Sequence, residues 1–306
     1  MKNRLILLAV NTFILICILL AGLKVYSYLT NTSIDINLNI TNISSLIIVY
    51  SFIFLCSCQA WKTAFKATTG VTLKFSHAVS QTAYMLTSKY VPGKIWGFVA
   101  RGVTAPIYGY SSTSTIHASV FEQIITMQSG LLLGISLLAY SYNEYAGITL
   151  FILFHIIPYT IYSLGINILL FPLARISAIS KKLKGIEKIQ HINKTVFIKA
   201  YYFYTLLWIL IALSMTIFLD LLSITYDSKL LFAISGVYII SVLVGFLAIF
   251  APGGIGVREG MFVTLTLNIL PLHHAIEISV LIRIVLTIYD LLAGIIGHIL
   301  HIHSTK

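Results

Sequence analysis

Apolar stretches of about 20 residues recur along the whole chain, and each is long enough to cross a bilayer as a helix. This repetition restricts the fold more than any other feature. Charged residues make up only 9% of the 306 residues and apolar residues 58%, so polar groups could not cover the surface of a soluble domain. The sequence therefore predicts an all-α integral membrane protein with a single membrane domain.

Six full spans are predicted, and the basic residues beside them predict their orientation. The predicted spans run over residues 5–28, 43–65, 117–140, 146–171, 196–219 and 274–299. Lys2 and Arg4 precede the first span, and the basic loop from Arg175 to Lys194 follows the fourth. Because loops rich in Lys and Arg stay in the cytoplasm, we expect both termini on the cytoplasmic side of the inner membrane. The first apolar run continues past Leu15 without an A-x-A site, which favours an uncleaved span over a signal peptide.

Two further apolar segments are interrupted by proline and glycine. Residues 76–110 are broken at Pro92-Gly93, and residues 230–270 are broken at Pro252-Gly253-Gly254. The halves around the first break are too short to span separately. A break at membrane depth is tolerated only where protein or a wet cavity shelters the backbone. We therefore expect two re-entrant broken hairpins, the first entering from the cytoplasm and the second from outside.

The order of elements predicts an inverted repeat. Each half contains two transmembrane helices, a re-entrant hairpin and a third transmembrane helix, with residues 1–143 starting inside and residues 144–306 starting outside. Pro92-Gly93-Lys94-Ile95 aligns with Pro252-Gly253-Gly254-Ile255 at an offset of 160 residues (252 minus 92). The alternative is a short P-G-x-I turn that occurs twice by chance. Inverted repeats are typical of secondary transporters.

Charged residues within apolar segments are the candidate substrate-binding residues, because each costs about 2.5–3.5 kcal/mol at a helix centre. They follow the two breaks in two groups. The alternative for each is an interfacial charge that reaches water. The predicted substrate-binding residues, with the glycines of the second break, are Lys89, Lys94, Arg101, Glu122, Gly253, Gly254, Gly256, Arg258, Glu259, Arg283 and Asp290.

The second break predicts an anion site. The half-helix that starts after Gly256 should present free N–H groups and the positive end of its dipole. Gly253, Gly254 and Gly256 should let an oxyanion approach closely, and Arg258 adds a fixed charge; a phosphate suits this best. The segment lacks the third glycine and the preceding strand of a dinucleotide fingerprint. The offset of 160 further places Glu122 and Arg283 one residue apart in superposed repeats, which predicts an intramembrane ion pair.

The remaining signals predict no metal site, no cofactor and no nucleic-acid partner. The net charge of +11 comes from basic residues that border apolar segments, as contacts to anionic headgroups do. The aromatic run Tyr201 to Tyr204 with Trp208 is interpreted as an interfacial belt rather than a sugar platform. Three histidines are interpreted as interfacial residues of a frayed C-terminal helix rather than metal ligands: His298, His301 and His303.

The residues around the two breaks resemble two signatures of the lysylphosphatidylglycerol synthase transmembrane (flippase) family. The first resemblance is carried by Lys89-Tyr90-Val91-Pro92-Gly93-Lys94-Ile95-Trp96-Gly97 with Arg101, and the second by Gly253-Gly254-Ile255-Gly256-Val257-Arg258-Glu259-Gly260. Glu122, Arg283 and Asp290 match the family's intramembrane glutamate, arginine and aspartate. The best-known members flip aminoacylated phosphatidylglycerol and carry a soluble transferase domain that this sequence lacks, which puts lipid aminoacylation in question.

The leading hypothesis is a flippase without an ATPase motif that moves an anionic lipid through a polar cavity between the repeats. Stand-alone relatives resemble proteins encoded with polysaccharide and glycolipid genes, which implies a polyprenyl-phosphate-linked sugar as cargo. An aminoacylated or anionic phospholipid is the second candidate. The other hypotheses are a membrane glycosyltransferase with Glu122 or Glu259 as base, and a scaffold that recruits a glycosyltransferase partner through the loop Arg175 to Lys194.

Overall fold

The computed structural model describes residues 39–91, 95–154, 194–248 and 251–304. All regular secondary structure in these residues is helical, which confirms the predicted all-α class. The predicted first span, most of the fourth and nearly all of the basic loop lie outside the described residues. The helices are α1 Ile40–Thr69, α2 Phe75–Ser88, α3 Trp96–Thr104, α4 Ser112–Tyr142, α5 Glu144–Phe154, α6 Lys194–Leu221, α7 Ser228–Leu247, α8 Val257–Thr266 and α9 Leu272–Ser304.

Five of these helices are long and apolar enough to cross a membrane: α1, α4, α6, α7 and α9. Four of them contain a predicted span and extend beyond it, because polar caps lie outside the apolar run. Asn39 caps α1 by accepting the Asn42 N–H at 2.7 Å, and Ser111 begins α4. The chain is therefore a multi-pass membrane protein.

Helices α2 and α3, on either side of the first break, have 14 and 9 residues, so each is too short to cross alone. The two ends of this broken segment lie together, since the hydroxyl of Tyr110 accepts the backbone N–H of Lys74 at 3.3 Å. A short 3-10 helix, Ala105–Tyr108, follows α3. Pro92, Gly93 and Lys94 lie outside the described residues.

The second broken segment differs from the first. Helix α7 has 20 residues, which at about 1.5 Å per residue is enough to cross the hydrocarbon layer. The two broken segments therefore differ in length, because the apolar run before the second break continues uninterrupted for the length of a span. The turn after α7 includes a 3-10 helix at Pro252–Gly254. Gly253, Gly254 and Gly256 all have positive φ, between 58° and 80°, which only glycine adopts readily.

Three helix pairs form the largest contacts among the described elements: α1 with α6, α2 with α9, and α4 with α7. Glycines bring these pairs close together. A Cβ at Gly297 of α9 would overlap Ala83 of α2, and a Cβ at Gly236 of α7 would lie 2.8 Å from Cγ of Leu138 in α4. Small residues at contacts permit this close packing in membranes, where dispersion contacts drive helix association.

Candidate anion-binding site

Two clusters of buried charge lie inside the apolar helix bundle. The first charge centre consists of Arg101 and Glu122 with their partners. The second charge centre consists of Lys89, Arg258, Glu259, Arg283 and Asp290. Both centres use residues that the sequence singled out, but the two are partnered very differently.

In the first charge centre every charged atom has a partner. Arg101 and Glu122, with 1% and 6% of their surface exposed, form an ion pair. The Nε of Arg101 donates to the carbonyl of Gln81 at 3.0 Å, and its guanidinium lies 3.7 Å from the ring centroid of Trp61. The hydroxyl of Tyr204 donates to Oε1 of Glu122 at 2.9 Å. This centre therefore ties α3, α4 and α6 together.

In the second charge centre, Asp290 of α9 contacts the first break. Its Oδ2 lies 2.7 Å from Nζ of Lys89 and accepts the hydroxyl of Tyr90 at 2.6 Å. Asp290 is 1% exposed, and its Oδ1 has no hydrogen-bond partner among the described residues. The last span thus holds the end of α2 in place and keeps one acceptor without a partner in the part of the chain that the structure describes.

Arg283 lies two helical turns before Asp290 on the same face of α9, and it contacts the second break. Its Nη1 donates to the carbonyl of Gly253 at 3.2 Å and lies 3.7 Å from Oε1 of Glu259. Among the described residues, the Nε and Nη2 atoms have no acceptor, although only 1% of the residue is exposed. A buried donor without an acceptor costs about 1–3 kcal/mol, and more when it is charged. Arg283 therefore has two donors whose hydrogen-bonding capacity is unmet within the described part of the chain.

At the start of α8, a carboxylate already accepts one backbone N–H of the predicted anion site. The Oε2 of Glu259 accepts the N–H of Gly256 at 2.7 Å, and its Oε1 lies 3.3 Å from Nη2 of Arg258. Glu259 is thus an internal anion that caps this helix. Its position three residues after Gly256 is the spacing at which a carboxylate reaches back to the first N–H groups of a helix.

A cavity of about 240 Å³ lies beside these residues. Its described lining includes three cationic side chains and no carboxylate: Lys89, Arg258 and Arg283. The end of α2 and the second break meet here, since a Cβ at Gly253 would lie 3.5 Å from the carbonyl of Lys89 and 3.1 Å from Nη2 of Arg283. A neighbouring cavity of about 260 Å³ shares Lys89 and Arg258 and extends to Glu122 and Asp290.

The predicted ion pair between Glu122 and Arg283 is wrong in this structure. Glu122 pairs with Arg101 instead, and Arg283 contacts Glu259. Arg101 lies about two helical turns after the first break, in α3, and its side chain contacts Glu122 of α4.

The glycines of the second break differ from one another. A Cβ at Gly254 would lie 2.9 Å from the carbonyl of Gly245. Gly254 therefore serves close backbone packing.

The sequence interpretation missed the role of the aromatic residues in α6. Tyr201, Tyr204 and Trp208 are buried, and Nε1 of Trp208 donates to the carbonyl of Thr126 at 2.8 Å. The prediction of an interfacial belt is wrong for these three. Their spacing of three, four and seven residues places them on one helix face, a signal that the continuous aromatic run obscured. Tyr202 on the other face is exposed.

The predicted frayed end of α9 is also wrong for one histidine. His301 is fully buried, and its Nδ1 lies 2.5 Å from the hydroxyl of Tyr108. His303 is exposed, as expected of an interfacial residue. Among the residues that the structure describes, no group of three or more potential metal ligands occurs.

The fold and the site together define a multi-pass membrane protein with a cationic cavity between its helices. A comparison with protein families identifies the chain further. The family described as "Lysylphosphatidylglycerol synthase TM region" matches residues 7–294, so the chain belongs to this family, which is associated with lipid translocation. This confirms the resemblance of the two signatures. No curated protein and no solved structure matched the chain.

Proposed function

We propose that the chain is a flippase that moves an anionic lipid across the membrane by passing its headgroup through the cationic cavity. The observation that carries this proposal is Arg283, whose Nε and Nη2 are buried without acceptors beside a cavity with Lys89 and Arg258. A phosphate presents several strong acceptors and accepts two parallel N–H donors from one guanidinium. An anionic headgroup would therefore offset the cost of these unpartnered donors.

The free oxygen of Asp290 restricts the headgroup further. Its Oδ1 has no partner, so the site offers one acceptor next to its donors. A phosphate-linked sugar supplies both a phosphate and hydroxyl donors, which favours a polyprenyl-phosphate-linked sugar as the cargo. An aminoacylated phospholipid also supplies both, through its phosphate and its ammonium group, and is the second candidate.

The helix packing supports an inverted repeat with a site between its halves. The end of α2, in the first half, packs on α9 of the second, while α7 of the second half packs on α4 of the first. The residues beside the two breaks meet at the cavity, where Gly253 lies next to Lys89. Transporters with inverted repeats bind substrate at such a position and open alternately to each side.

Two other functions are less well supported. A glycosyltransferase base at Glu122 or Glu259 would need a carboxylate free to take a proton, and both carboxylates are held by arginines. The scaffold hypothesis depends on the basic loop Arg175 to Lys194, of which the structure describes only the last residue. A pull-down of glycosyltransferases with and without this loop would distinguish the scaffold from a flippase.

Transport in proteoliposomes tests the proposal. We expect Arg283→Ala and Arg258→Ala to abolish flipping of an anionic lipid while the protein still folds. Lysine at either position should restore flipping only in part, because an ammonium group cannot reproduce the guanidinium fork. Full activity of both alanine variants would contradict the proposal.

The proposed topology has its own test. Single cysteines at Lys74 and Ser111 should be labelled only from the cytoplasm, since these residues flank the first hairpin. Cysteines at Asp227 and Leu272 should be labelled only from outside. Labelling of Lys74 and Ser111 from opposite faces would exclude a re-entrant first hairpin.

A further inference from the structure

A third cavity, of about 350 Å³, is apolar and lies between α1 and α9. Its walls are almost entirely aliphatic and aromatic, and several of its lining residues are exposed on the two helices. Because both helices are long enough to span the membrane, the cavity lies at membrane depth on the surface of the described helices. We call this cavity the lateral groove. It is lined by Ile43, Leu46, Ile47, Tyr50, Ser51, Phe54, Val285, Ile288, Tyr289, Leu292, Ala293 and Ile296.

The lateral groove adjoins one of the two polar cavities. Tyr50 and Tyr289 line both the groove and the cavity that contains Lys89 and Asp290. Their ring centroids are 5.4 Å apart, so the two rings form a shared wall between an apolar chamber and a charged one. Tyr289 precedes Asp290 in α9, which places the last apolar contact of the groove next to the first polar contact of the site.

An apolar chamber that adjoins a charged one fits a ligand with an anionic head and a hydrocarbon chain. We propose that the lateral groove holds the single chain of a lipid phosphate while its headgroup lies among Lys89, Arg258 and Arg283. This inference rests on the proposed function and deepens it by assigning the chain of the cargo a place. The groove is one channel between two helices, which fits one chain better than two.

The groove acts through position more than through affinity. A lipid chain gains little by leaving the bilayer for an apolar groove, because lipid tails are as apolar as the side chains that line it. The groove instead keeps the chain beside the membrane while the head enters the cavity. Filling the groove should therefore slow transport and leave the binding of a phosphate without a chain unchanged.

Tryptophan substitutions test this assignment. Leu292→Trp and Ile47→Trp place a large ring in the groove, whereas Ile295→Trp and Ile48→Trp place the same ring on the same helices at exposed positions outside it. Transport of polyprenyl phosphate is measured in phosphatidylcholine vesicles. We expect the two groove variants to be slowed about tenfold, equivalent to about 1.4 kcal/mol in the transition state, and the two controls to retain the native rate.

Inorganic phosphate serves as the probe without a chain. Its stabilisation of the purified full chain against heat should be the same in Leu292→Trp as in the native protein, which shows that the headgroup site is intact. If inorganic phosphate does not stabilise the native protein, this result would contradict the proposed function and not the assignment of the groove. A native transport rate in Leu292→Trp, or an equally reduced transport rate in Ile295→Trp, would overturn the groove assignment alone.

Two further outcomes would also overturn it. If Leu292→Trp slows the transport of phosphatidylglycerol but not that of polyprenyl phosphate, a single-chain lipid would be excluded as the occupant of the groove. Complete disulfide formation between a cysteine at Ile47 and a cysteine within residues 5–28, with transport retained, would show that the chain's own first span fills the groove.

Discussion

The two buried arginines of this protein, Arg101 and Arg283, are equally inaccessible and differ in their partners. Each is 1% exposed, and each lies close to a break in an apolar segment. Every nitrogen of the Arg101 guanidinium donates to an acceptor, whereas two nitrogens of Arg283 have no acceptor among the described residues. Burial alone therefore does not separate these two charges, whereas the number of unmet donors does.

The difference has an energetic meaning. A complete buried network fixes the helices that contribute to it, because removing one member leaves a charge without a partner. An incomplete network carries a cost that a ligand can offset on binding. The first charge centre should therefore control stability, and the second should control transport.

The largest expected effect is on stability at the first charge centre. Arg101→Met leaves Glu122 as a buried charge without its cation, so we expect a loss of about 3–5 kcal/mol in the free energy of unfolding. Unfolding in mixed detergent micelles measures it. Arg283→Met is the matched variant and should lose little stability or gain some, because it removes unmet donors. Equal losses from both substitutions would remove the distinction between the centres.

The next effect separates two tyrosines that donate to buried carboxylates. Tyr204→Phe removes a donor to Glu122, and Tyr90→Phe removes a donor to Asp290. A hydrogen bond to a charged group contributes about 1.5–3 kcal/mol. We expect Tyr204→Phe to lower stability within that range with its transport rate retained, and Tyr90→Phe to lower the transport rate. Unfolding and flipping assays on both variants check this, and the reverse pattern would contradict it.

The smallest effect concerns the backbone at the second break. Gly253→Ala forces a residue with a side chain into a left-handed conformation, at a cost of about 1–2 kcal/mol. Its Cβ would also lie 3.1 Å from Nη2 of Arg283. Gly109→Ala is the control, since Gly109 has φ of 81° with no atom within 4 Å of the added Cβ. Both should lose similar stability, but only Gly253→Ala should slow transport; equal slowing would mean that the contact with Arg283 is irrelevant.

The sequence alone predicted much of the fold. The apolar run lengths located four of the five long described helices, because the thickness of the hydrocarbon layer sets the length of a span. The sequence does not predict the length of α7. Its alignment with the first broken segment suggests a short arm like α2, whereas α7 has 20 residues. Helix ends were also misplaced, since capping residues such as Asn39 lie beyond the apolar runs.

The sequence locates the charged residues within the apolar segments, but it does not predict their partners. Insertion cost marks an intramembrane charge from its position alone, whereas pairing depends on how the helices rotate and cross. The offset of 160 pointed to Glu122 and Arg283, and the structure pairs Glu122 with Arg101 instead. The unmet donors of Arg283 are a property of three-dimensional geometry that no residue pattern records, whereas the spacing of Glu259 from Gly256 is compatible with the capping of α8.

The most direct test of the central claim is the stabilisation of the protein by inorganic phosphate. A ligand that binds only the folded state stabilises it by about 2.7 kcal/mol at one hundred times its dissociation constant, which appears as a rise in the thermal midpoint. We expect this rise in the native protein and in Tyr204→Phe, where the second charge centre is intact, and its loss in Arg283→Met. An equal rise in Arg283→Met would contradict the account, because phosphate would then bind without the unpartnered donors that define the site.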